Sequence, residues 1–217
     1  MERNKFQHFL KANNMKKIKI YSPIKRLCDI VLSAAALIVL FPFFIVLCLI
    51  CAIDTKASPL FLQERIGKGS KPFKIIKFRT MKKSAPALTP ARDISHPEEY
   101  VSRLGAFLRK SGADELPQLI NILIGQMSFV GPRPLMKTEA ALHRVRASLG
   151  VYTVRPGLTG LAQIKSDTIN SHEEKAKLDA EYVQKMSLFY DVKLLFLTAT
   201  LFLGGKHIDE HFNSPLS

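Results

Sequence analysis

Residues 30–53 read IVLSAAALIVLFPFFIVLCLICAI, an apolar stretch with no charged residue between Asp29 and Asp54. A transmembrane helix needs about 20 mostly apolar residues, so this stretch is long enough to cross a membrane. A cleaved signal peptide is disfavoured, because the apolar core is too long and no small-x-small cleavage site closes it. The sequence therefore predicts a helix that stays embedded in a membrane.

Pro42 lies in the middle of this stretch and predicts a bend, because proline removes one backbone hydrogen bond and its ring pushes on the preceding turn. Both flanks are basic: residues 1–29 carry eight Lys or Arg against two acids, and residues 54–83 carry nine against two. Positive flanks favour the cytoplasm. A hairpin that enters and leaves the membrane on one side satisfies both observations. A kinked single-pass helix is the alternative, and these residues alone leave both open.

The composition of the whole chain is strongly basic. Of its 217 residues, 32 are Lys or Arg and 18 are Asp or Glu, which gives a formal net charge of +14. Such an excess favours a polyanionic partner: nucleic acid, an anionic membrane or a phosphorylated substrate. The three cysteines lie in or beside the apolar stretch without a metal-site partner at suitable spacing. We interpret them as small apolar residues in a reducing compartment.

Two short runs after the apolar stretch predict a β-hairpin. Residues 59–67 (PLFLQERIG) and 72–81 (PFKIIKFRTM) are rich in Phe and Ile and are separated by a turn-like segment. Residues 84–99 hold three prolines and little apolar periodicity, which predicts a surface loop.

Helical spacing of apolar residues recurs through the remaining chain. We predict a helix over residues 98–112 that ends at Gly112, a more apolar helix over 115–125, and a third over 172–186 with Glu and Lys pairs on its exposed face. Residues 192–205 (VKLLFLTATLFLGG) are apolar but too few to span a membrane, so they suit a buried or interfacial helix.

Two adjacent acids, Asp114 and Glu115, stand at the predicted start of the helix over 115–125, in the sequence SGADELPQL. Asp is a favoured helix N-cap, and Glu is favourable in the first turn. With Asp114 as the N-cap, however, Pro117 falls at N3 and offers no N–H to the capping carboxylate. Ser111 as the cap would place Pro117 inside the helix, where it clashes. We therefore predict that Asp114 stands at a helix N-terminus with a partly free carboxylate, beside N–H groups that favour anions. A capping role and a chemical role both remain open.

Arg133 and Arg155 each directly precede a proline, in GPRPL and VRPG. Proline drives the preceding residue toward an extended backbone, so less entropy is lost when the arginine binds a phosphate. The planar guanidinium binds phosphate with two hydrogen bonds. Lys77 and Arg79, two residues apart on one predicted strand, are further candidates for phosphate binding. Solvated arginines in stiff surface turns are the alternative.

Considered together, these segments resemble the monotopic bacterial phosphoglycosyl transferases of the bacterial sugar transferase family. The matching pieces occur in the family's order between residues 24 and 203. They are KRLCDIVLSAAALIVLFPFF, FKIIKFRTM, SGADELPQLINILIGQMSFVGPRPL, VRPGLTGLAQI and LDAEYVQKMSLFYDVKLLFLT.

The resemblance implies an α+β, mostly helical fold in which a re-entrant membrane helix hairpin bends at Pro42 and carries a compact cytoplasmic domain with a small sheet and interfacial amphipathic helices. Its expected location is the cytoplasmic face of the bacterial inner membrane, which favours the hairpin over a single pass. The expected segments are a basic N-terminal segment, the re-entrant helix, a catalytic domain and a tail, over residues 1–23, 24–54, 55–205 and 206–217.

The resemblance also implies a reaction, in which a phosphosugar passes from a UDP-sugar to undecaprenyl phosphate with Mg²⁺ and UMP is released. In that family the Asp of the Asp-Glu pair is the nucleophile, here Asp114. Its neighbour Glu115 helps to hold the metal, to which Asp114 would also contribute. Arg133 and Arg155 match the phosphate-binding arginines. The expected partners are the UDP-sugar, undecaprenyl phosphate and inner-membrane lipids; the oligomeric state is open, a homo-oligomer included.

Two positions depart from the family pattern. Phe41 stands where the family usually has Ser before the bend proline, and Gln126 stands where it usually has Asp. A catalytically silent, basic membrane scaffold is the rival interpretation, and it predicts loss of the acid pair or of the Arg-Pro motifs; neither is lost. A nucleic-acid binder would fit the net charge, but no RNA-module signature is present, so we expect no nucleic-acid partner.

Overall fold

The computed structural model describes residues 2–85, 99–166, 169 and 171–204, with side chains from Ile18 onward except Lys19. Seven helices and four strands lie within these residues. In chain order they are α1 (Glu2–Thr55), β1 (Leu60–Ile66), β2 (Pro72–Phe78), α2 (Arg103–Lys110), α3 (Gln118–Leu123), β3 (Ser128–Val130), α4 (Ala140–Ser148), β4 (Gly157–Thr159), α5 (Leu161–Ile164), α6 (His172–Lys185) and α7 (Leu188–Leu203). The mostly helical α+β class is confirmed. In place of one small sheet, the described residues form two two-stranded sheets, β1 with β2 and β3 with β4.

The long first helix contains the whole apolar stretch. α1 continues through Pro23 and Pro42 and includes both the basic segment and the membrane segment predicted from the sequence. Within the described residues, the part over 20–55 is the one helix long and apolar enough to cross a membrane. Phe41, directly before Pro42, is exposed. The re-entrant hairpin stays a prediction.

α1 packs on the rest of the protein at three successive levels. The first level lies against the cluster around Tyr182, the second against that around Ile122, and the third against that around Phe78. The partly buried α1 residues at these levels are Ile18 and Tyr21, then Ala36, Leu37 and Leu40, then Phe44, Leu47 and Cys48. Side chains on both sides of Pro42 therefore contact the same domain. Other apolar residues of α1 are exposed, among them Ile38, Val39, Phe41, Phe43 and Ile53.

The predicted β-hairpin is confirmed. β1 and β2 pair antiparallel from Leu60 opposite Phe78 to Ile66 opposite Pro72, around a short turn over residues 68–70. Most of the predicted surface loop over 84–99 lies outside the described residues, as does the predicted tail.

α2 is shorter than the sequence predicted, because Ser102 rather than an earlier residue caps it. The Ser102 hydroxyl accepts a hydrogen bond from the Gly105 N–H at 2.9 Å. Gly105 is required here, since a Cβ would lie 2.3 Å from the main-chain oxygen of Thr80. The helix ends as predicted near Gly112, whose φ of +67° is left-handed and suits glycine.

The parallel pair of β3 and β4 places the two Arg-Pro segments side by side. Ser128 lies opposite Gly157 and Val130 opposite Thr159. A Cβ on Gly157 would lie 2.1 Å from the main-chain nitrogen of Gly131, so only glycine permits this approach. The two motifs are more than 20 residues apart in the sequence, and this pairing brings their backbones together.

The last two helices are joined to α1 through one buried carboxylate. Asp191 on α7 accepts hydrogen bonds from the hydroxyls of Tyr21 and Tyr182, at 2.8 and 2.9 Å, and forms an ion pair with Lys25. α6 agrees with the predicted helix over 172–186. α7 begins before the predicted residue 192 and carries exposed apolar side chains, as expected for an interfacial helix: Leu188, Phe189, Val192, Phe196 and Leu203.

We expect Asp191→Asn to destabilise the fold strongly. The substitution leaves the Lys25 ammonium, whose side chain is 12% exposed, without its counter-charge, and removing one partner of a largely buried ion pair costs about 3 kcal/mol or more. The measurement is the free energy of unfolding in detergent micelles. Glu181→Gln is the control, because Glu181 pairs with the largely exposed Lys185 and its loss changes stability little. Equal effects of the two substitutions would contradict this account of Asp191.

Candidate active site

The acid pair lies on a tight turn between α2 and α3. A single 3₁₀ turn spans Ala113–Glu115, with main-chain hydrogen bonds from Glu115 to Gly112 at 3.1 Å and from Leu116 to Ala113 at 3.2 Å. Pro117 occupies the N-cap position of α3. The prediction that Asp114 stands at this N-cap is therefore wrong. The physical reason is that the tighter turn continues up to Pro117, and the α-helix starts only after it.

Asp114 is buried, with 8% of its surface exposed, and it lies within electrostatic range of a cation that the sequence did not indicate. Arg109, in the last turn of α2, is close enough for the Asp114 charge to act on its guanidinium. Burial lowers the pKa of Arg109, and the negative charge of Asp114 opposes that effect. The Arg109 Nε donates a hydrogen bond to the Thr80 hydroxyl at 2.8 Å, which fixes the side chain. No local sequence signal identifies Arg109, because its relation to Asp114 depends on the left-handed turn at Gly112.

Glu115 lies between two cations from other elements. The Lys77 ammonium on β2 forms an ion pair with Glu115 Oε1, and an Arg133 guanidinium nitrogen lies 3.7 Å from the same oxygen. Burial raises the pKa of Glu115, but attraction to Lys77 and Arg133 outweighs it and lowers the pKa to about 2. Glu115 is therefore an ionised carboxylate at neutral pH, suited to bind cations rather than to donate a proton.

The other sequence-predicted site residues occupy different places. Arg155 donates from Nε to the main-chain oxygen of Gly125 at 2.7 Å, just beyond the C-terminal end of α3, whereas Glu115 precedes α3. The six residues of α3 rise about 9 Å, so Arg133 and Arg155 bind at opposite ends of this helix. Arg79 donates to the Ser58 main-chain oxygen at 2.8 Å, at the exit of α1. The structure thus brings Lys77 and Arg133 to the acid pair and places Arg155 and Arg79 on other backbone segments.

Arg155 has a second arginine for a neighbour. Arg26 on α1 donates to the main-chain oxygens of Ile122 and Leu123, at 2.6 and 2.7 Å. Burial lowers the pKa of Arg155, and the positive charge of Arg26 lowers it further. The C-terminal carbonyl groups of α3 carry partial negative charge, which explains why two cations gather there.

Gln126, which departs from the family pattern, stabilises the loop between α3 and β3 through a hydrogen bond. Its side-chain oxygen accepts a hydrogen bond from the Asn121 amide at 2.7 Å. Asn121 is fully buried and joins α3 to β2, because its amide also binds the Lys74 main-chain oxygen at 2.8 Å and its oxygen accepts from Ile76 N–H at 3.0 Å. A glutamine oxygen can serve as this acceptor as an aspartate would.

The acid pair offers the ligands that Mg²⁺ prefers. Mg²⁺ is commonly held by one or two carboxylates together with substrate phosphates and water. Among the described residues, no group of three or more His, Cys, Asp or Glu could hold a metal by itself. Asp114 and Glu115 could therefore supply two of the ligands of a magnesium ion, and they do not form a complete protein cage.

A buried group of charges lies behind Arg133. Arg146 on α4 donates to the Arg133 main-chain oxygen at 2.7 Å, and its other terminal nitrogen lies 2.5 Å from Asp179 on α6. Lys175, also on α6, is buried nearby. Burial lowers its pKa to about 7, and the positive charges of Arg146 and Arg133 contribute to the shift.

We expect Lys175 to make stability depend on pH. The unfolded chain holds the Lys175 proton up to about pH 10.5, whereas the folded chain releases it near pH 7. Between these values the unfolded state binds more protons, so this group makes stability rise as pH increases. The free energy of unfolding measured at pH 7 and pH 9 should rise more in the parent than in Lys175→Met. Equal pH dependence in both proteins would contradict the burial of this ammonium.

Comparison with known proteins places the chain in a family. Residues 20–205 match the family described as bacterial sugar transferase. The chain is 35% identical over 184 residues to the UDP-glucose:undecaprenyl-phosphate glucose-1-phosphate transferase of Escherichia coli (strain K12), a match that covers 81% of this chain and 39% of the relative. It is 35% identical over 188 residues to the exopolysaccharide production protein ExoY of Rhizobium meliloti (strain 1021), covering 80% of this chain and 83% of the relative.

The relatives differ in length. The exopolysaccharide production protein PSS of Rhizobium leguminosarum bv. phaseoli is 35% identical over 185 residues, and the match covers 81% of this chain and 92% of that protein. The chain spans about two fifths of the length of the longer relatives such as the Escherichia coli transferase. The match includes α1 from residue 20 onward, the acid pair, both Arg-Pro segments and α7. The chain belongs to the bacterial sugar transferase family.

Proposed function

We propose that this protein is a phosphoglycosyl transferase that moves a phosphosugar from a UDP-sugar to undecaprenyl phosphate and releases UMP. Such a reaction begins the assembly of a membrane-bound glycan, such as an exopolysaccharide. The activities named for the relatives support the substrate classes. The observation that carries the proposal is the pair Asp114 and Glu115 on one tight turn, surrounded by Lys77, Arg109 and Arg133.

The cations around the acid pair reduce the electrostatic repulsion that opposes this reaction. A carboxylate that attacks a diphosphate must approach a group of the same charge. Fixed positive groups in a site with little water lower that repulsion most where charge develops in the transition state. Lys77 and Arg133 already hold Glu115 ionised, and Arg109 lies within electrostatic range of Asp114. A diphosphate bound at this turn would meet all three cations at once.

We assign the nucleophile to Asp114. In the first step its carboxylate oxygen forms a bond to the sugar-bearing phosphorus, and the bond from that phosphorus to the UMP oxygen breaks. In the second step a phosphate oxygen of undecaprenyl phosphate attacks the same phosphorus, and the bond to Asp114 breaks. The covalent route replaces one displacement between two anions with two easier displacements.

Glu115 and the arginines have supporting roles in this proposal. Asp114 and Glu115 would hold Mg²⁺, which neutralises charge on the departing phosphate. Arg133 and Lys77 would bind the diphosphate beside the acid pair. Arg155, at the far end of α3, would act on a phosphate from that side, and Arg79 would bind phosphate near the exit of α1.

The protein is also proposed to be monotopic on the cytoplasmic face of the bacterial inner membrane. Side chains before and after Pro42 pack on the same domain, which supports a helix that returns to the side from which it entered. The exposed apolar side chains of α7 suit the membrane interface. Basic residues flank the apolar stretch on both sides, which favours a cytoplasmic location for both ends.

We expect Asp114→Asn to abolish turnover while the fold survives. The amide has nearly the size of the carboxylate but is a very weak nucleophile toward phosphorus. The parent protein, given a panel of UDP-sugars without lipid acceptor, should release about one UMP per active site, and its intact mass should rise by one phosphosugar on the peptide that holds GADELPQL. The Asn variant should show neither the burst of UMP nor the added mass.

Two further variants serve as comparisons for this result. Glu115→Gln should slow turnover but leave the nucleophile able to form the adduct, and Glu181→Gln on the exposed face of α6 should behave like the parent. A catalytically silent scaffold would release no UMP in any of these proteins. An Asp114→Asn variant that turns over near the parent rate would refute the nucleophile assignment.

The topology is tested by single cysteines at Lys19 and Lys71, one on each side of the apolar stretch, with the native cysteines replaced by serine. Neither position should react with a membrane-impermeant thiol reagent in intact cells, and both should react after lysis. Pro42→Leu removes the bend and should move part of the population toward spanning, so that one position becomes labelled from outside. Labelling of either position in the parent background would contradict the hairpin.

A further inference from the structure

A buried ion pair that the proposed reaction does not use connects α4 to α6. Arg146 and Asp179 are each 1% exposed, and their charged groups are 2.5 Å apart. Transferring two charges from water into a protein interior is costly, and well-packed apolar residues often give equal stability. A buried pair of this kind therefore contributes little net stability by itself. Its role in the protein depends on the other groups to which its members are hydrogen-bonded.

The Arg146 guanidinium also holds the backbone of a residue at the acid pair. One terminal nitrogen donates to the main-chain oxygen of Arg133 at 2.7 Å. The side chain of Arg133 in turn lies 3.7 Å from Glu115 Oε1. A continuous path thus runs from Asp179 through Arg146 and the Arg133 backbone to the acid pair.

The segment that carries Arg133 depends on such outside donors. Pro132 and Pro134 have no N–H, so the segment offers few donors of its own. Each of its four main-chain oxygens accepts a hydrogen bond from a group outside the segment. The Pro132 oxygen accepts from the Gly157 N–H at 3.0 Å, and the Arg133 oxygen accepts from the Arg146 guanidinium at 2.7 Å. The Pro134 and Leu135 oxygens accept from two neighbouring residues of β1: from the Arg65 guanidinium at 3.4 Å and from the Ile66 N–H at 2.9 Å.

We propose that Arg146 and Asp179 are a positioning pair that fixes the Arg133 backbone so that its guanidinium meets the diphosphate at the acid pair. Neither residue touches the reacting atoms. The inference rests on the proposed function, in which Arg133 binds the diphosphate. Asp179 orients Arg146, Arg146 orients the carbonyl group of Arg133, and the two flanking prolines transmit that orientation because their rings restrict the backbone.

The alternative is that the pair only joins α4 to α6. In that case its loss lowers stability and slows the reaction in the same proportion whether or not Arg133 is intact. A positioning role predicts the opposite: once Arg133 has lost its guanidinium, misplacing residue 133 matters little. Non-additivity in a double-mutant cycle distinguishes the two, because residues that act through one another couple.

The test measures UMP release by the full chain in detergent micelles, for Arg133→Lys, Arg146→Lys and the double variant, at a temperature where all are folded. Arg133→Lys should lower kcat/KM on the order of a hundredfold, through loss of the guanidinium fork. Arg146→Lys keeps the charge beside Asp179 but cannot reach both partners in the same way, and should cost about tenfold or more through misplacement. The double variant should be within about twofold of Arg133→Lys. Multiplication of the two losses would overturn the proposal.

A second variant guards against simple unfolding. Arg146→Met combined with Asp179→Leu replaces the whole pair by apolar side chains, which often preserves or raises stability. Its melting temperature should stay near that of the parent while kcat/KM falls as in Arg146→Lys. A stable variant with parent activity would overturn the proposal.

Glu181→Gln is the matched control, because Glu181 lies on α6 like Asp179 but forms its ion pair with Lys185 near the surface. Whatever loss it causes should multiply with that of Arg133→Lys, since the two act independently. Coupling as strong as that of Arg146 would overturn the assignment.

A readout without catalysis separates this inference from the proposed function. Amide hydrogen exchange at Gly131, Arg133 and Leu135, the residues of this segment that carry an N–H, should speed up in the Arg146→Met, Asp179→Leu protein, while exchange in β2 stays as in the parent. If the parent releases no UMP from any UDP-sugar, the proposed function fails, and the exchange result still decides whether the pair positions this segment. Unchanged exchange over 131–135 would overturn the positioning role.

Discussion

The arrangement of this protein depends on holding two adjacent carboxylates, Asp114 and Glu115, in a place with little access to water. Ionised carboxylates are costly to bury unless cations or hydrogen bonds replace the water they lose. Here the cations come from three elements that are far apart in the sequence: Lys77 on β2, Arg109 on α2 and Arg133 after β3. The positions of those elements are therefore set, in part, by the acid pair, and the same cations would receive a diphosphate.

The helices and strands around the site are joined to one another by small groups of buried polar side chains. Asn121 joins α3 to β2 and to the following loop, Asp191 joins α1 to α6 and α7, and Arg146 joins α4 and α6 to the Arg133 segment. Each set would be costly if one member were missing, because an unpaired buried polar group loses its hydration without compensation. Such sets fix relative positions more sharply than apolar packing, which tolerates substitution of similar volume.

The long first helix belongs to the same framework. α1 packs on the domain before and after Pro42, and its Arg26 binds the C-terminal carbonyl groups of α3, the helix that starts beside the acid pair. The buried Asp29 accepts hydrogen bonds from Ser128 and from the Phe129 N–H at the start of β3. The helix therefore contributes more than an apolar stretch: its polar residues hold α3 and β3, the two elements that precede the Arg133 segment.

Local sequence determined the features that depend on neighbouring residues. The apolar stretch around Pro42, the β1–β2 hairpin and the helix α6 follow from composition, periodicity and turn residues, and the acid pair was conspicuous in a basic chain. The sequence-based N-cap for Asp114 was wrong, because the 3₁₀ turn ahead of Pro117 is one of several starts that local rules allow. Only the tertiary structure brought Arg109 within electrostatic range of Asp114 and placed Arg155 at the far end of α3. These residues come together through close glycine contacts and through hydrogen bonds to buried carbonyl groups. Three-dimensional packing determines which residues make these contacts, and no periodic pattern in the sequence indicates them.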